Sequence, residues 1–150
     1  MTTLEDRFAI RDLQERYATE SDFNNKDYYA SIFRPDVKLR VYFYGKLGTQ
    51  ADSVDDMIRQ YKAFGAAKAS FHQNGQHVID FQNDTHATGK AYAIATLVNE
   101  KEGKNELTFH AVRYFDKYVK VDGRWWIQER EQHFVYTTTA DVLNTEDATL

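Results

Sequence analysis

Between Glu106 and Thr137 the chain reads ELTFHAVRYFDKYVKV (106–121), Asp122-Gly123, then RWWIQEREQHFVYT (124–137). Asp-Gly between two runs rich in aromatic and β-branched residues predicts a tight hairpin, because both turn residues tolerate positive φ. The two runs far exceed the ordinary strand of about five or six residues. Antiparallel strands of that length twist and curl, which makes one face of their sheet concave. A concave face inside a small domain is where a ligand pocket forms.

Working outward, Ser70 to Phe81 and Thr85 to Asn99 read as two further strands about Asn83-Asp84, with EKEGKNE (100–106) as a polar loop before the hairpin. The other end of the chain is helical. Thr2 is placed to cap a first helix with Glu5 completing a capping box, and Ile10, Leu13 and Tyr17 form its apolar stripe up to Asp22–Asn25. A short helix over Asp27–Phe33 is stopped by Arg34-Pro35, since the residue before proline avoids helical dihedrals. Val37–Tyr44 reads as a strand ending at Gly45, with Leu47–Gln50 pairing back on it. Asp52 or Ser53 caps a third helix carrying Val54, Met57, Ile58 and Tyr61, which ends near Gly65. Helices followed by a run of antiparallel strands is the α+β pattern, here read as one domain over residues 1–150. The polar tail from about Ala140 is expected to be loosely held. Ala87, Gly89, Ala91, Ala93 and Ala95 share one strand face at period two, so either a helix packs closely there or room is left for a ligand.

Composition narrows the function classes. Aromatics make up 15% of the chain, which favours a sheet-lined cavity over a leucine-built bundle. The net charge of −4, with no basic tract, argues against nucleic acid or an anionic membrane as partner. There is no cysteine, hence no disulfide and no thiolate chemistry. The first residues, MTTLEDRFAIRDLQERY, lack a signal-peptide core, and no apolar run is long enough to span a bilayer. A cytoplasmic protein is expected.

No phosphate loop, metalloprotease helix motif or nucleophile elbow is present. His72, His77, His86, His110 and His133 are scattered without helical metal spacing, so neither metal nor cofactor is expected. What remains is Asp22, late in the first helix, and His72, early in the first long strand. A carboxylate that orients a histidine proton turns the imidazole into a base and stabilises the imidazolium that forms. Taken singly, Asp22 reads first as a helix-end or turn residue and His72 as a satisfied, half-buried histidine.

Ile10-Arg-Asp-Leu-Gln-Glu-Arg-Tyr17, Asp22, Asp27-Tyr28 and Phe71-His72 resemble motifs of the SnoaL-like proteins of the nuclear transport factor 2-like superfamily. So do Arg113-Tyr114-x-Asp116-x-Tyr118 and Asp122-Gly123-Arg124-Trp125-x-Ile127-x-x-Arg130, and the resemblance spans roughly residues 4–135. It implies a cone: a curved antiparallel sheet wrapped around N-terminal helices, with a deep pocket. Within the superfamily the chain looks most like the scytalone dehydratase, hexachlorocyclohexane dehydrochlorinase and bile acid 7α-dehydratase branch. That likeness implies Asp22 and His72 as the proton-abstracting pair, Tyr17 as an aid at the substrate oxygen and Arg130 as a partner of developing negative charge. Tyr42 and Tyr44 fall near a pocket tyrosine of that branch, and His110 and Tyr114 share a strand face that would line the pocket. Ala95 and Ser21 depart from the branch, where a functional Asp and a Tyr stand.

The expected activity is a cofactor-independent, dehydratase-like elimination on a small hydrophobic cyclic compound, in a homodimer or homotrimer. A ketosteroid-isomerase-like isomerase, a non-catalytic binding module and an assembly subunit are the alternatives. Tyr17 equally reads as helix packing, Arg130 as a surface ion-pair residue, and Trp125, Trp126 and Ile127 as core with one Trp turned outward.

Overall fold

A computed structural model describes residues 1–150. Its elements are α1 (Leu4–Asp22), a 3₁₀ turn (Lys26–Ser31), β1 (Phe33–Phe43), β2 (Lys46–Ala51), α2 (Val54–Ala63), β3 (Ala69–Phe81), β4 (His86–Lys101), β5 (Lys104–Val121) and β6 (Arg124–Asp141). The strands form one six-stranded sheet in the order β2-β1-β6-β5-β4-β3. The β5–β6 hairpin turns at Asp122 (φ 51) and Gly123 (φ 79), the paired positive dihedrals that a two-residue turn demands. Glu102 (φ 53) and Gly103 (φ 78) do the same between β4 and β5. The polar loop expected over 100–106 is therefore a tight turn, with pairing carried out to Lys101 and Lys104.

Every strand pairing is antiparallel except β1–β6, which runs parallel. The join differs from the expected antiparallel one because β1 arrives from the helical segment and no hairpin links it to β6. Pro35 sits where the β1–β6 register breaks between Phe33 and Lys38, a stretch that needs no ladder donor.

Two helix starts show the capping chemistry. Ser53 caps α2 by accepting from Asp56 N–H. The capping box of α1 is Thr3 with Asp6, one residue beyond the expected Thr2 and Glu5. Asp6 wins because it points inward, where it also accepts from Lys120 Nζ and Trp125 Nε1, each at 2.8 Å. Trp125 is buried there, while Trp126 faces outward beneath Arg124 and Arg34.

The sheet curls around α1, which rests on β3 and β6. Three β-bulges, near Gly75 in β3 and at Gln128 and Val135 in β6, sharpen the twist. The small-residue stripe of β4 is covered by side chains from the adjacent strand. A Cβ at Gly89 would lie 2.7 Å from the Tyr118 hydroxyl, so the tyrosine ring occupies the space the stripe leaves. At Ala95 the stripe borders the large cavity between the helices and the concave sheet face. The tail is better anchored than its composition suggests: Ala140 and Asp141 belong to β6, and Ala148 N–H donates to Lys68 O at 2.8 Å. No helix is long and apolar enough to cross a membrane.

Candidate active site

The end of α1, the 3₁₀ turn, the end of α2 and the concave face of β3–β6 enclose a cavity of about 560 Å³. Asp22, the last residue of α1, reaches across to β3. Its carboxylate accepts from His72 N–H (2.9 Å) and Ser70 Oγ (2.9 Å) and lies 2.6 Å from His72 Nδ1. Three donors from one strand leave it a single orientation. With the Nδ1 proton held by Asp22, neutral His72 keeps its lone pair on Nε2, which has no partner within the chain. Both side chains are largely buried, at 13% and 20% exposure, and both line the cavity.

Opposite the pair stands a wall of phenols. Tyr61 Oη donates to Gln132 Oε1 at 3.1 Å, Tyr17 Oη lies 3.5 Å from the same oxygen, and Tyr29 Oη meets Ser21 Oγ at 2.6 Å. Tyr114 is 1% exposed and lines the cavity, yet its hydroxyl has no partner in the chain. Burial raises the pKa of Tyr17, Tyr29, Tyr61 and Tyr114, so all four are neutral O–H groups near pH 7. Ala95, Leu97, Val112 and Phe134 supply apolar lining, and the exposed rings of Phe23 and Phe64 flank the mouth. Lys26 caps the end of α2 there, its ammonium on Tyr61 O (2.7 Å) and Gly65 O (2.9 Å).

His110 borders the same space. His72, Ala95, His110 and Thr137 form one cross-strand row, and the short Ala95 side chain leaves both imidazoles open to the cavity. Burial and then the neighbouring His72 hold the His110 pKa below its ordinary value.

Three residues expected in the pocket lie elsewhere. Tyr42 is on the outer sheet face, its ring stacked on His133 at 4.6 Å, because Leu39 and Val41 take the inward positions of β1. Tyr44, in the turn after β1, is exposed and donates to Thr137 Oγ1 at 2.6 Å. Arg130 lies behind the cavity wall, neither on the surface nor in the pocket. It grips Asp116 through Nε and Nη2 at 2.8 Å, and its guanidinium sits 4.6 Å from the Tyr17 ring and 4.2 Å from the Tyr114 ring. Those two rings, which do line the cavity, stand on the guanidinium.

Ser70, Gln132, Tyr29 and Tyr61 are polar cavity residues that sequence reasoning did not single out. Ser70 had a signal, since it lies two residues before His72 and so on the same strand face. His77 joins a separate buried network, with Nε2 2.9 Å from Tyr118 Oη, which donates to Asp116 at 3.0 Å. His86 and His133 lie away from the cavity, and no three His, Asp or Glu side chains converge.

A curved sheet wrapped on a helix, with a buried acid–imidazole pair facing an apolar hollow, defines the class as a cone-shaped α+β protein. The chain belongs to the SnoaL-like domain family, whose sequence profile matches residues 2–131. It is similar to a "putative scytalone dehydratase" of Novosphingobium aromaticivorans DSM 12444, with 25% identity, coverage of 96% of this chain and 92% of that one, and a TM-score of 0.73. It shares its fold with hexachlorocyclohexane dehydrochlorinase LinA-type3 of Novosphingobium barchaimii LL02 (20% identity, 95% and 94% covered, TM-score 0.77). A cystatin-like-fold protein of unknown function from Nostoc punctiforme PCC 73102 is also similar (20% identity, 87% and 92% covered, TM-score 0.70). No protein of curated function matches the chain in sequence.

Proposed function

We propose that the cavity is the active site of a cofactor-independent lyase that eliminates water or another leaving group from a small hydrophobic cyclic compound. The observation that carries this reading is the Asp22 carboxylate. Pinned by His72 Nδ1, His72 N–H and Ser70, it presents the free Nε2 of His72 to an apolar hollow. Nε2 takes a proton from the carbon beside a carbonyl, and Asp22 stabilises the imidazolium. The enolate oxygen is met by neutral phenols, with the unpaired Tyr114 hydroxyl and Tyr17 best placed to donate. A positioned base contributes about 10²–10⁴-fold, so the phenol wall supplies much of the remaining acceleration. The names of two similar structures, a dehydratase and a dehydrochlorinase, both denote eliminations.

The test is a panel of cyclic β-hydroxy ketones and halogenated rings, followed by ultraviolet absorbance of the conjugated product. His72→Gln is expected to abolish turnover while its thermal midpoint stays near that of the natural protein. Wild-type rates from His72→Ala would end the proposal, and double-bond migration without a leaving group would assign an isomerase instead. The proposal extends to self-assembly: Phe71, Ile94 and Tyr136 are exposed on the outer sheet face, where a second or third copy would cover them. Sedimentation as a monomer at micromolar concentration would refute that extension.

A further inference from the structure

The two cavity imidazoles have different partners, and the difference decides where each proton sits. His110 Nδ1 lies 2.8 Å from Thr137 Oγ1, which accepts a hydrogen bond from Tyr44 Oη at 2.6 Å. A threonine hydroxyl carries one proton. With Tyr44 already donating into Thr137, that proton finds its acceptor at His110 Nδ1. The proton of the neutral ring is therefore on Nε2, the reverse of His72. His110 Nε2 has no partner within the chain, and the ring borders the cavity. At the other end Tyr44 is 58% exposed, so the hydrogen-bonded chain runs from solvent to cavity.

We propose that Tyr44, Thr137 and His110 form a proton relay that makes His110 the general acid for the leaving group. This rests on the elimination reading and narrows the substrate to a ring whose leaving group is a hydroxyl, since a halide departs without a proton. His72 takes the proton from carbon, the new C=C bond forms and the C–O bond breaks. The departing oxygen receives the Nε2 proton of His110 and leaves as water. Thr137 passes its proton to Nδ1, Tyr44 passes its own to Thr137, and solvent reprotonates Tyr44 as His72 releases the abstracted proton. The imidazole of His110 stays neutral throughout but is left with its proton on Nδ1. Before the next turnover Nε2 takes a proton from water entering the cavity, and Nδ1 returns one through Thr137 and Tyr44 to solvent, which restores the Nε2–H form. Two histidines one Ala95 apart thus hold opposite tautomers and opposite roles.

Full-length protein labelled with ¹⁵N-histidine, with signals assigned by single His→Gln variants, reports both tautomers in long-range ¹H–¹⁵N spectra at pH 7.5. His110 is expected as the Nε2–H form and His72 as the Nδ1–H form, and Thr137→Val should remove the His110 preference. A proton on His110 Nδ1 overturns the relay, whereas a wrong His72 tautomer counts against the dyad alone. For turnover, two rings that differ only in a hydroxyl or chloride β to the ketone are compared. His110→Phe should slow hydroxyl elimination by about 10²-fold or more and chloride elimination only a few-fold. Tyr44→Phe, at an exposed position that leaves the core untouched, should lower the hydroxyl rate alone. Equal losses on both rings would overturn the assignment.

Discussion

The role of Arg130 is decided by a stability cycle with Asp116. Both side chains are at 0% exposure, joined through two bonds of 2.8 Å, with Gln14 Oε1 also accepting from Nη2 and Nη1 left unpaired. Replacing Asp116 by Leu strands a guanidinium that cannot lose its proton in a dry interior, at a cost of about 3–5 kcal/mol. Arg130→Met strands a carboxylate that still has the Tyr118 hydroxyl and can take up a proton, so its cost falls at the lower end, about 3 kcal/mol. The double variant removes both charges together. Because buried ion pairs repay their desolvation poorly, it should lie within about 2 kcal/mol of the natural protein.

Urea unfolding followed by tryptophan fluorescence reads these differences. With a slope of about 2 kcal/mol per molar, a loss of 4 kcal/mol moves the midpoint by about 2 M. A double variant worse than either single variant would refute the pairing argument. So would an Arg130→Met protein of natural stability that nevertheless fails to turn over substrate. That result would return Arg130 to the substrate's developing charge, the role the family resemblance implies.

Three further outcomes follow from the same contacts. Asp22→Asn should cut turnover by about 10³–10⁴-fold, because an amide no longer fixes the Nδ1–H tautomer of His72, and a loss under tenfold in steady-state kinetics would sink the dyad. Gly89→Ala should cost about 1–3 kcal/mol, or about 3–9 °C by calorimetry, because its Cβ collides with the hydrogen-bonded and buried Tyr118 ring; an unchanged midpoint would show that the ring can yield. Lys120, then Trp125 and Thr3, hold the Asp6 carboxyl below its ordinary pKa, so its stabilisation is complete above about pH 4 and is lost as pH falls further. Asp6→Asn should therefore destabilise at pH 7 and flatten the acid limb of the stability curve; parallel curves would contradict this.

The hairpin, the element order and the α+β class were legible because Asp-Gly turns, helix caps and apolar spacing are local signals. The Asp22–His72 meeting was legible only as a pairing by elimination. In the chain 50 residues separate the two, no local signal joins them, and family likeness is what favoured the pair over the separate reading of each residue. Tyr42 had a local signal. Val37, Leu39 and Val41 alternate with Lys38 and Arg40, so the period-two pattern places Tyr42 with the charged residues on the outer face, against the position the family likeness implies.

Bulges deepen the difficulty, and they also build the site. His72 and His77 differ by an odd number of residues and should face opposite ways, yet the bulge near Gly75 turns both to the concave side. In β6, Phe134 pairs with Val112 and Thr137 with His110, so three residues span what two span on β5. Without the extra Val135, Thr137 would point to the outer face, and His110 would lose the hydroxyl that holds its Nδ1. Alternation in a strand is informative only between bulges. The polar rows of this cavity are assembled across such breaks, which is why its shape could be read from the chain while the partners of its second histidine could not.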